Sequence, residues 1–592
     1  MKNRPRRAVP CLLAAVAALL AASAGQASAA RVTISPFPGT LTAMPKTQIS
    51  FLGASPGGLH SIAVVGSSSG RHSGRLAAYS SATGASFISS KPFTPGEQVR
   101  VQARLSGAGG RSSSLSTYFT VARPMPVPLS EFPTTPGTAA DVQGFQSEPG
   151  LKPPAVTVHQ AAGAGTAPGY VFAAPFIGPG QYGPMIFDNA GRLVWFRSVP
   201  GGQDAADFQT QSFHGENVLT WWQGRTLQLG YGLGEDVIVD SNYKTVAVVK
   251  AGNGLRADEH EFNVTPQGAA YVLAYSPVAA DLSPAGGPGS GVAVEGVIQK
   301  IDIHTHLVMW EWHSLGNVAV SESYSKPPTT ATSPYDYFHV NSLTTDSHGN
   351  LLISARNTWA LYDISAGTGR VMWRLGGKRS TFALGPNVPF AYQHNALWLP
   401  GGQLSLFDDE GAPTVKAPSR GEVLSLDLKH KSAKLVSQLV RNPGPLITGS
   451  QGNVQALPGG GWMVGWGGLP NFTEFNAQGQ VVYDAQLPRG EFSYRVYREP
   501  WSGQPLTPPA VAARRSGATT TVYASWNGAT GVGSWQLLTG SSASQLTPVS
   551  TTPRTGFETT IPSPGAAFVQ VRALSGSGRV LGTSAAVAPS PG

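Results

Sequence analysis

The residues best equipped for chemistry lie in one stretch, Phe338 to Arg356, read as FHVNSLTTDSHGNLLISAR. It opens with His339, carries Asn341 two residues on, and ends with Arg356. An imidazole, an amide and a guanidinium held together suit an anionic group, because the guanidinium offers a planar fork of donors and its neighbours add directed hydrogen bonds. The same groups would also serve as a hydrogen-bonded cluster closing the end of a sheet. What must position them is a hairpin: the polar turn Asp346-Ser347-His348-Gly349 separates two runs that suit strands. With the turn centred on Ser347 and His348, antiparallel pairing sets Arg356 nearly opposite His339. Strand alternation then places Asn341 on the same face as His339.

The stretch has relatives along the chain. A histidine, a short apolar run and a turn ending in glycine recur from Glu259 to Gly268 and from Gln393 to Gly402; Gln451 to Gly460 repeats the pattern with glycine in place of histidine. Each is followed by a second apolar strand, so His260, His339 and His394 share one repeat position. A second motif, a turn-forming Asp or Asn followed by an apolar strand often bearing Trp, begins at Asp188, Asp302, Asp363 and Asn476, with weaker copies at Asp240 and Asp427. Six copies at intervals of roughly 50–65 residues, uninterrupted by any long amphipathic helical pattern, predict an all-β chain whose residues 166–501 form a six-bladed β-propeller. In that geometry the three histidines gather at one end of the central channel, and the hairpin returns Arg356 to the same end. One such histidine alone reads as satisfying backbone groups; three at a shared position, with Arg356 and Asn341, read as a site.

The remaining chain frames this region. Residues 1–29 read as a secretory signal, with Lys2, Arg4, Arg6 and Arg7 before a short apolar core and Ala27-Ser28-Ala29 as a cleavage site. The destination is therefore secreted, extracellular or cell-envelope associated. The single cysteine, Cys11, lies inside the signal, so the mature chain uses neither disulfides nor cysteine-bound metal. The formal charge is +9 with only 12% charged residues, and the basic residues are scattered, which argues against nucleic acid as a partner. No later segment is long and apolar enough to span a membrane. Residues 31–122 predict an immunoglobulin-like β-sandwich, 123–165 a Pro/Gly/Ala-rich linker, and 502–592 a fibronectin-III-like β-sandwich with Trp526 and Trp535 in its core. His304, His306 and His313 are close in sequence but lack a partner set of carboxylates or cysteines, so no metal site is predicted. Most of the tryptophans between Trp221 and Trp466 read as core, one or two near the channel being placed to stack on an aromatic ligand. No cofactor is implied, and the chain is silent on oligomeric state.

Residues 169–501 resemble the arylsulfate sulfotransferase (arylsulfotransferase) family, especially its exported branch with accessory β domains. The resemblance rests on Asp258-Glu259-His260-Glu261-Phe262, Phe338-His339-Val340-Asn341-Ser342, Ile353-Ser354-Ala355-Arg356-Asn357, Trp373-Arg374-Leu375-Gly376-Gly377, Tyr392-Gln393-His394-Asn395, Gly452-Asn453-Val454-Gln455 and Ser493-Tyr494-Arg495-Val496-Tyr497-Arg498. It implies sulfuryl transfer from an aryl sulfate donor to a phenolic acceptor, without the nucleotide donor of cytosolic sulfotransferases. By the same resemblance His394 is the nucleophile that becomes a sulfohistidine in a ping-pong cycle. His260, His339, Asn341 and Arg356 are then the groups that hold the sulfate oxygens and polarise the bridging oxygen. Asp408 or Asp409, after the strand that follows His394, is a candidate to orient its imidazole. Two departures stand out: Asn395 follows His394 where an aspartate is common in this branch, and the disulfide of some relatives is absent. The alternative function is a catalytically silent cell-surface binding or adhesion propeller. A quinone-cofactor dehydrogenase shares the architecture but finds no calcium-and-quinone ligand set here.

Overall fold

The computed structural model describes residues 32–106 and 112–591; the signal-like segment and Cys11 lie outside the described residues. The chain is all-β. Among the described residues helix is confined to short 3₁₀ turns, and no helix is long and apolar enough to cross a membrane.

Six sheets, each built on four antiparallel strands, carry the middle of the chain, and two of them add a short parallel strand, Pro334–Asp336 and Ala383–Leu384. The first holds Tyr170–Phe176, Met185–Phe187 and Leu193–Phe196, and takes the strand that corresponds to the first of the other sheets, Phe492–Glu499, from the far end of the region, with Phe176 opposite Phe492. The others begin at Asp204–Phe213, Phe262–Val264, Val340–Thr345, His394–Leu399 and Asn453–Ala456. Side-chain and backbone groups link these first strands in a closed ring. The Phe262 N–H donates to Asp207 at 3.3 Å, the Leu343 N–H to Glu261 at 3.2 Å, the Ala396 N–H to Ser342 at 3.0 Å, the Val454 N–H to Asn395 at 3.1 Å, and the Val496 N–H to Asn453 at 2.9 Å. The Thr210 N–H, donating 2.6 Å to Glu499, closes the circuit. Polar residues at these positions are therefore structural: buried backbone donors need partners, and each first strand supplies one to its neighbour.

The turn-forming residues do what their chemistry allows. Asp188, Asp240, Asp302, Asp427 and Asn476 each accept two backbone N–H groups of their own turn through one side-chain oxygen, which fixes the hairpin between third and fourth strands. Asp363 departs from the pattern. It lies inside the strand Ala360–Ile364, and the turn after it is closed by the Gly369 N–H on Ser365 O. Burial pushes its carboxyl up to about 6. The tryptophans pack between sheets, Trp221 with Phe208 and Tyr497, Trp312 with Phe338, and Trp466 with Phe407.

Two flanking regions are built differently. Between Thr33 and Thr120 two four-stranded sheets close over one apolar cluster, with Ile49, Phe51 and Phe87 from one and Val64, Val99, Val101 and Phe119 from the other. Between Ala510 and Pro591 two further sheets enclose Val522, Trp535, Val569 and Val571, with Trp526 at the edge. The Pro/Gly-rich segment between the first pair and the six central sheets is more ordered than its composition suggests. It runs along the ends of three sheets: the Met125 N–H donates to Pro277 O, Ser130 O accepts from the Gln228 N–H, and the Thr135 N–H donates to Ile177 O. Thr157–Gln160, inside the stretch expected to be linker, then joins Val481–Gln486 as an edge strand. TVHQ has too little apolar alternation to announce a strand, and its ladder partner supplies what its own sequence lacks.

Candidate active site

The hairpin at Val340–Thr345 and Leu351–Ala355 pairs Val340 with Ala355, and the Arg356 N–H donates to His339 O at 2.8 Å, so these two residues are apposed at the hairpin's open end. Asn341 is placed otherwise than alternation predicts. His339 adopts a left-handed backbone (φ 58°), and a bulge follows Val340, so the two side chains do not share a simple strand face. Asn341 is fully buried and its Nδ2 donates to Gln393 O at 2.7 Å, anchoring the residue before His394; its Oδ1 has no protein partner.

The structure brings the three histidines together around Tyr494. The His260 and His339 rings meet edge to face at 5.0 Å, and Tyr494 lies 5.1 Å from His260 and 6.3 Å from His394. Each histidine is held from behind by an aspartate on Nδ1: His260 by Asp258 at 2.5 Å, His339 by Asp336, and His394 by Asp409 at 2.7 Å. Of the two acids weighed for His394, Asp409 makes this contact, while Asp408 pairs with Arg420. An aspartate on Nδ1 fixes ring orientation and leaves Nε2 as the working nitrogen. At His394 the backbone N–H of Gln451 points at Nε2 from 3.2 Å, which selects the tautomer with its proton on Nδ1 and its lone pair on Nε2.

The electrostatics separate the three rings. Burial drives the His394 pKa well below the ordinary histidine value, and the nearby cations, Arg356 first, push the same way. His394 is therefore a neutral base with a directed lone pair. Burial also lowers His339 despite Asp336. At His260 burial opposes the charge, but the Asp258 carboxylate outweighs it and the pKa is raised. Arg356 lies over the Tyr392 ring at 4.6 Å and is pinned by Nη1 to Asn357 at 3.0 Å and by Nη2 to Gly449 O at 2.6 Å, which leaves further N–H groups of its fork to bind an anion.

Beneath the rings sits Arg495, 1% exposed, donating to Asp207 and Glu261 at 2.9 Å each and to the carbonyls of His260 and Asn341 at 2.9 and 3.2 Å. It ties the backbones that carry two of the histidines to one point. Asp258 and Asp336 were not singled out from sequence, although they precede their histidines by only two and three residues. Tyr494 and Arg495 lie 100 or more residues beyond the three histidines, in the Ser493–Arg498 segment that carries the resemblance, but nothing in that segment alone assigns them a role. Left-handed non-glycine residues cluster here: His339, Trp359, Tyr392, Asn395 and Gln451 all have φ between 50° and 67°. Such conformations cost about 1–3 kcal/mol each and persist where the surroundings enforce them. Among the described residues no set of three or more His, Cys, Asp or Glu side chains is arranged to hold a metal ion. His304 and His306 are exposed in their turn.

A neutral, oriented imidazole facing an arginine and a second, more basic histidine is the equipment of a group-transfer site for an anionic group. Residues 209–487 match the family described as Arylsulfotransferase (ASST). No curated protein matches the chain. Similar solved structures are distant. They include a protein of unknown function from Bacteroides caccae (12% identity over 56% of this chain and 98% of that one, TM-score 0.35). A protein from Lactobacillus plantarum is 11% identical over 66% of this chain and 98% of that one, with a TM-score of 0.29.

Proposed function

We propose that the protein moves a sulfuryl group from an aryl sulfate to a phenol, by a ping-pong cycle through a sulfohistidine at His394. The observation that carries this reading is the state of His394: neutral, held by Asp409 on Nδ1, with its Nε2 lone pair fixed beside Arg356 and His260. In the first half-reaction Nε2 attacks sulfur, the bond from sulfur to the aryl oxygen breaks, and the phenoxide leaves with the electron pair. His260 in its protonated form gives that oxygen a proton, and Arg356 holds the sulfuryl oxygens. In the second, an acceptor phenol returns its proton to His260 as its oxygen attacks sulfur, and the N–S bond breaks with its electron pair going back to Nε2. Burial of His394 excludes water, which would otherwise hydrolyse the intermediate. Asn341 acts by positioning the Gln393–His394 backbone.

The ring of first strands supports reading residues 166–501 as a six-bladed propeller with this site at one end of its channel. The two flanking sheet pairs read as immunoglobulin-like and fibronectin-III-like sandwiches, and residues 1–29 as an export signal, so that the enzyme works outside the cytoplasm. The test is to mix the purified chain with 4-nitrophenyl sulfate without acceptor, quench at alkaline pH, and map the modified peptide by mass. Sulfate on His394, and release of 4-nitrophenol with transfer when phenol is added, are expected. Sulfate on another residue, or no release of 4-nitrophenol, overturns the assignment.

A further inference from the structure

Arg356 is the end of an aromatic line. Its guanidinium lies on Tyr392, Tyr392 meets Trp359 edge-on at 5.2 Å, and Trp359 stacks on Tyr324 at 3.7 Å with the planes 6° apart. The line leads into a trough of about 440 Å³ walled by Tyr324, Trp359 and Phe390, with Gly376 and Gly377 in its lining and Lys416 beside it. A second cation, Lys378, holds its Nζ 5.0 Å from the Tyr324 ring. We propose that this trough binds the aromatic ring of the substrates: the aryl group of the donor and, in the second half-reaction, the phenolic acceptor.

Four features carry the proposal, which rests on the sulfuryl-transfer reading for the identity of its ligand. The volume falls in the range of small-molecule sites and fits one or two fused rings. The walls carry three aromatic rings, Tyr324, Trp359 and Phe390, whose exposed edges attract the face of an aromatic ligand by edge-on contact. The trough and the anion site share a neighbour: Tyr392, two residues before His394, carries Arg356 on its ring and meets Trp359 of the trough wall. The nearby lysines favour a ligand that is anionic as aryl sulfate and as phenoxide. One acid, Glu410, also lines the trough, and burial pushes its carboxyl up to about 7, which weakens its opposition to an anion.

The backbone is shaped for these rings at a cost. Trp359 and Tyr392 sit at φ 50° and 59°, a region bulky residues avoid. Gly376 and Gly377, also at positive φ, make room for this turn. A Cβ on Gly376 would lie 2.7 Å from Trp359 O and 2.8 Å from the Phe390 ring, and one on Gly377 would lie 2.6 Å from Thr358 O. Tyr324 is 39% exposed although it stacks on a half-buried tryptophan, so its removal leaves the sheet core untouched. An aromatic pair that serves only packing gains nothing from strained residues and an exposed ring.

The test separates ring binding from transfer. Binding of 4-nitrophenol, which carries no sulfuryl group, is followed by titration for the wild type, Tyr324→Ala, Trp359→Ala, Trp359→Phe and a distant control, Tyr118→Ala, with thermal melts to confirm folding. Loss of one aromatic wall weakens binding about tenfold in the two alanine variants of the trough. Trp359→Phe retains most of the affinity, and the control is unchanged. In turnover the alanine variants raise KM for phenol by a similar factor and leave kcat nearly unchanged. A wild type that binds 4-nitrophenol through Tyr324 but never transfers sulfate would sink the transferase reading and leave the trough standing. Tyr324→Ala and Trp359→Ala proteins that bind the phenol as the wild type does, or a wild type that fails to bind it at millimolar concentration, overturn the trough.

Discussion

His394 and His313 are equally hidden, 1% and 2% exposed, and each has polar partners on both ring nitrogens, yet their protons behave in opposite ways. His313 stands between two carboxylates, with Glu295 3.2 Å from Nδ1 and Glu311 3.0 Å from Nε2, and its pKa is raised to about 10. His394 has one carboxylate on Nδ1 and a backbone N–H on Nε2, and its pKa falls well below the ordinary value. Burial alone depresses both. The surrounding charge decides the outcome: Glu295 and Glu311 hold a proton on His313, whereas at His394 Arg356 and the other nearby cations add to the effect of burial. The first arrangement makes a clamp, and the second leaves the neutral imidazole that the proposed nucleophile needs. His313 clamps Thr42 of the N-terminal sheets, whose hydroxyl donates 2.7 Å to Glu295, onto the third of the six central sheets. His394 faces Arg356.

The largest effect should come from removing the lone pair. His394→Ala is expected to lose both the sulfate adduct and turnover, by on the order of 10³-fold or more, with an unchanged melting curve. Residual turnover within tenfold of the wild type would place the nucleophile elsewhere. The next test reverses the proton arrangement while keeping every atom in place. Asp409→Asn replaces an acceptor on Nδ1 by a donor, which pushes the proton to Nε2 and hides the lone pair. A loss of about 10²- to 10⁴-fold in kcat is expected, with KM for the donor nearly constant. Equal activity would mean that Asp409 does not set the tautomer. A smaller effect is expected at the anion. Arg356→Lys keeps the charge but loses the fork and the flat contact with Tyr392, so kcat/KM for the aryl sulfate should fall about 10- to 100-fold. Unchanged donor kinetics in the folded variant would remove Arg356 from the site.

How much of this contrast was legible in the residues follows from the range of the interactions. The apposition of His339 and Arg356 depends on one hairpin, and a turn with Asp346 accepting from His348 and Asn350 sets its register locally. Asn341 was misplaced because a bulge and a left-handed His339 break the alternation, and neither leaves a mark in the sequence. Asp258 and Asp336 were within reach, since a carboxylate two or three residues before a histidine can bend back to Nδ1. Tyr494 and Arg495 form the floor through contacts between strands far apart in the chain, and such contacts follow from the ring of sheets rather than from any segment. His313 read as one of three neighbouring histidines, yet its partners Thr42, Glu295 and Glu311 come from two regions far apart in the chain. The turn residues were easiest, because an Asp or Asn accepting its own turn's N–H groups acts over four residues; Asp363 fails because its turn is closed by Ser365 instead.

The smallest effect on catalysis, and the clearest on stability, belongs to the clamp. His313→Gln keeps the size and one donor but cannot carry charge, so it leaves two buried carboxylates facing a neutral amide. Breaking a buried charge pair costs about 3–5 kcal/mol, and the melting temperature should drop accordingly near neutral pH. The sign with pH is fixed by the direction of the shift. A histidine with a pKa near 6.5 unfolded and about 10 folded stabilises fully below the lower value, and its contribution declines as the pH rises and is lost above the higher one. The gap in melting temperature between wild type and His313→Gln should therefore be widest near about pH 6 and narrow steadily toward about pH 10. The transfer rate of the folded variant at a fixed temperature should match the wild type, because the clamp joins Glu311 to Ser35, Thr47 and Asn253 and touches none of the three site histidines. A gap that stays flat across this range would show that the fold does not hold the His313 proton. A gap that narrows while transfer falls in step would show that the N-terminal sheets reach the site, and would dissolve the distinction between clamp and nucleophile.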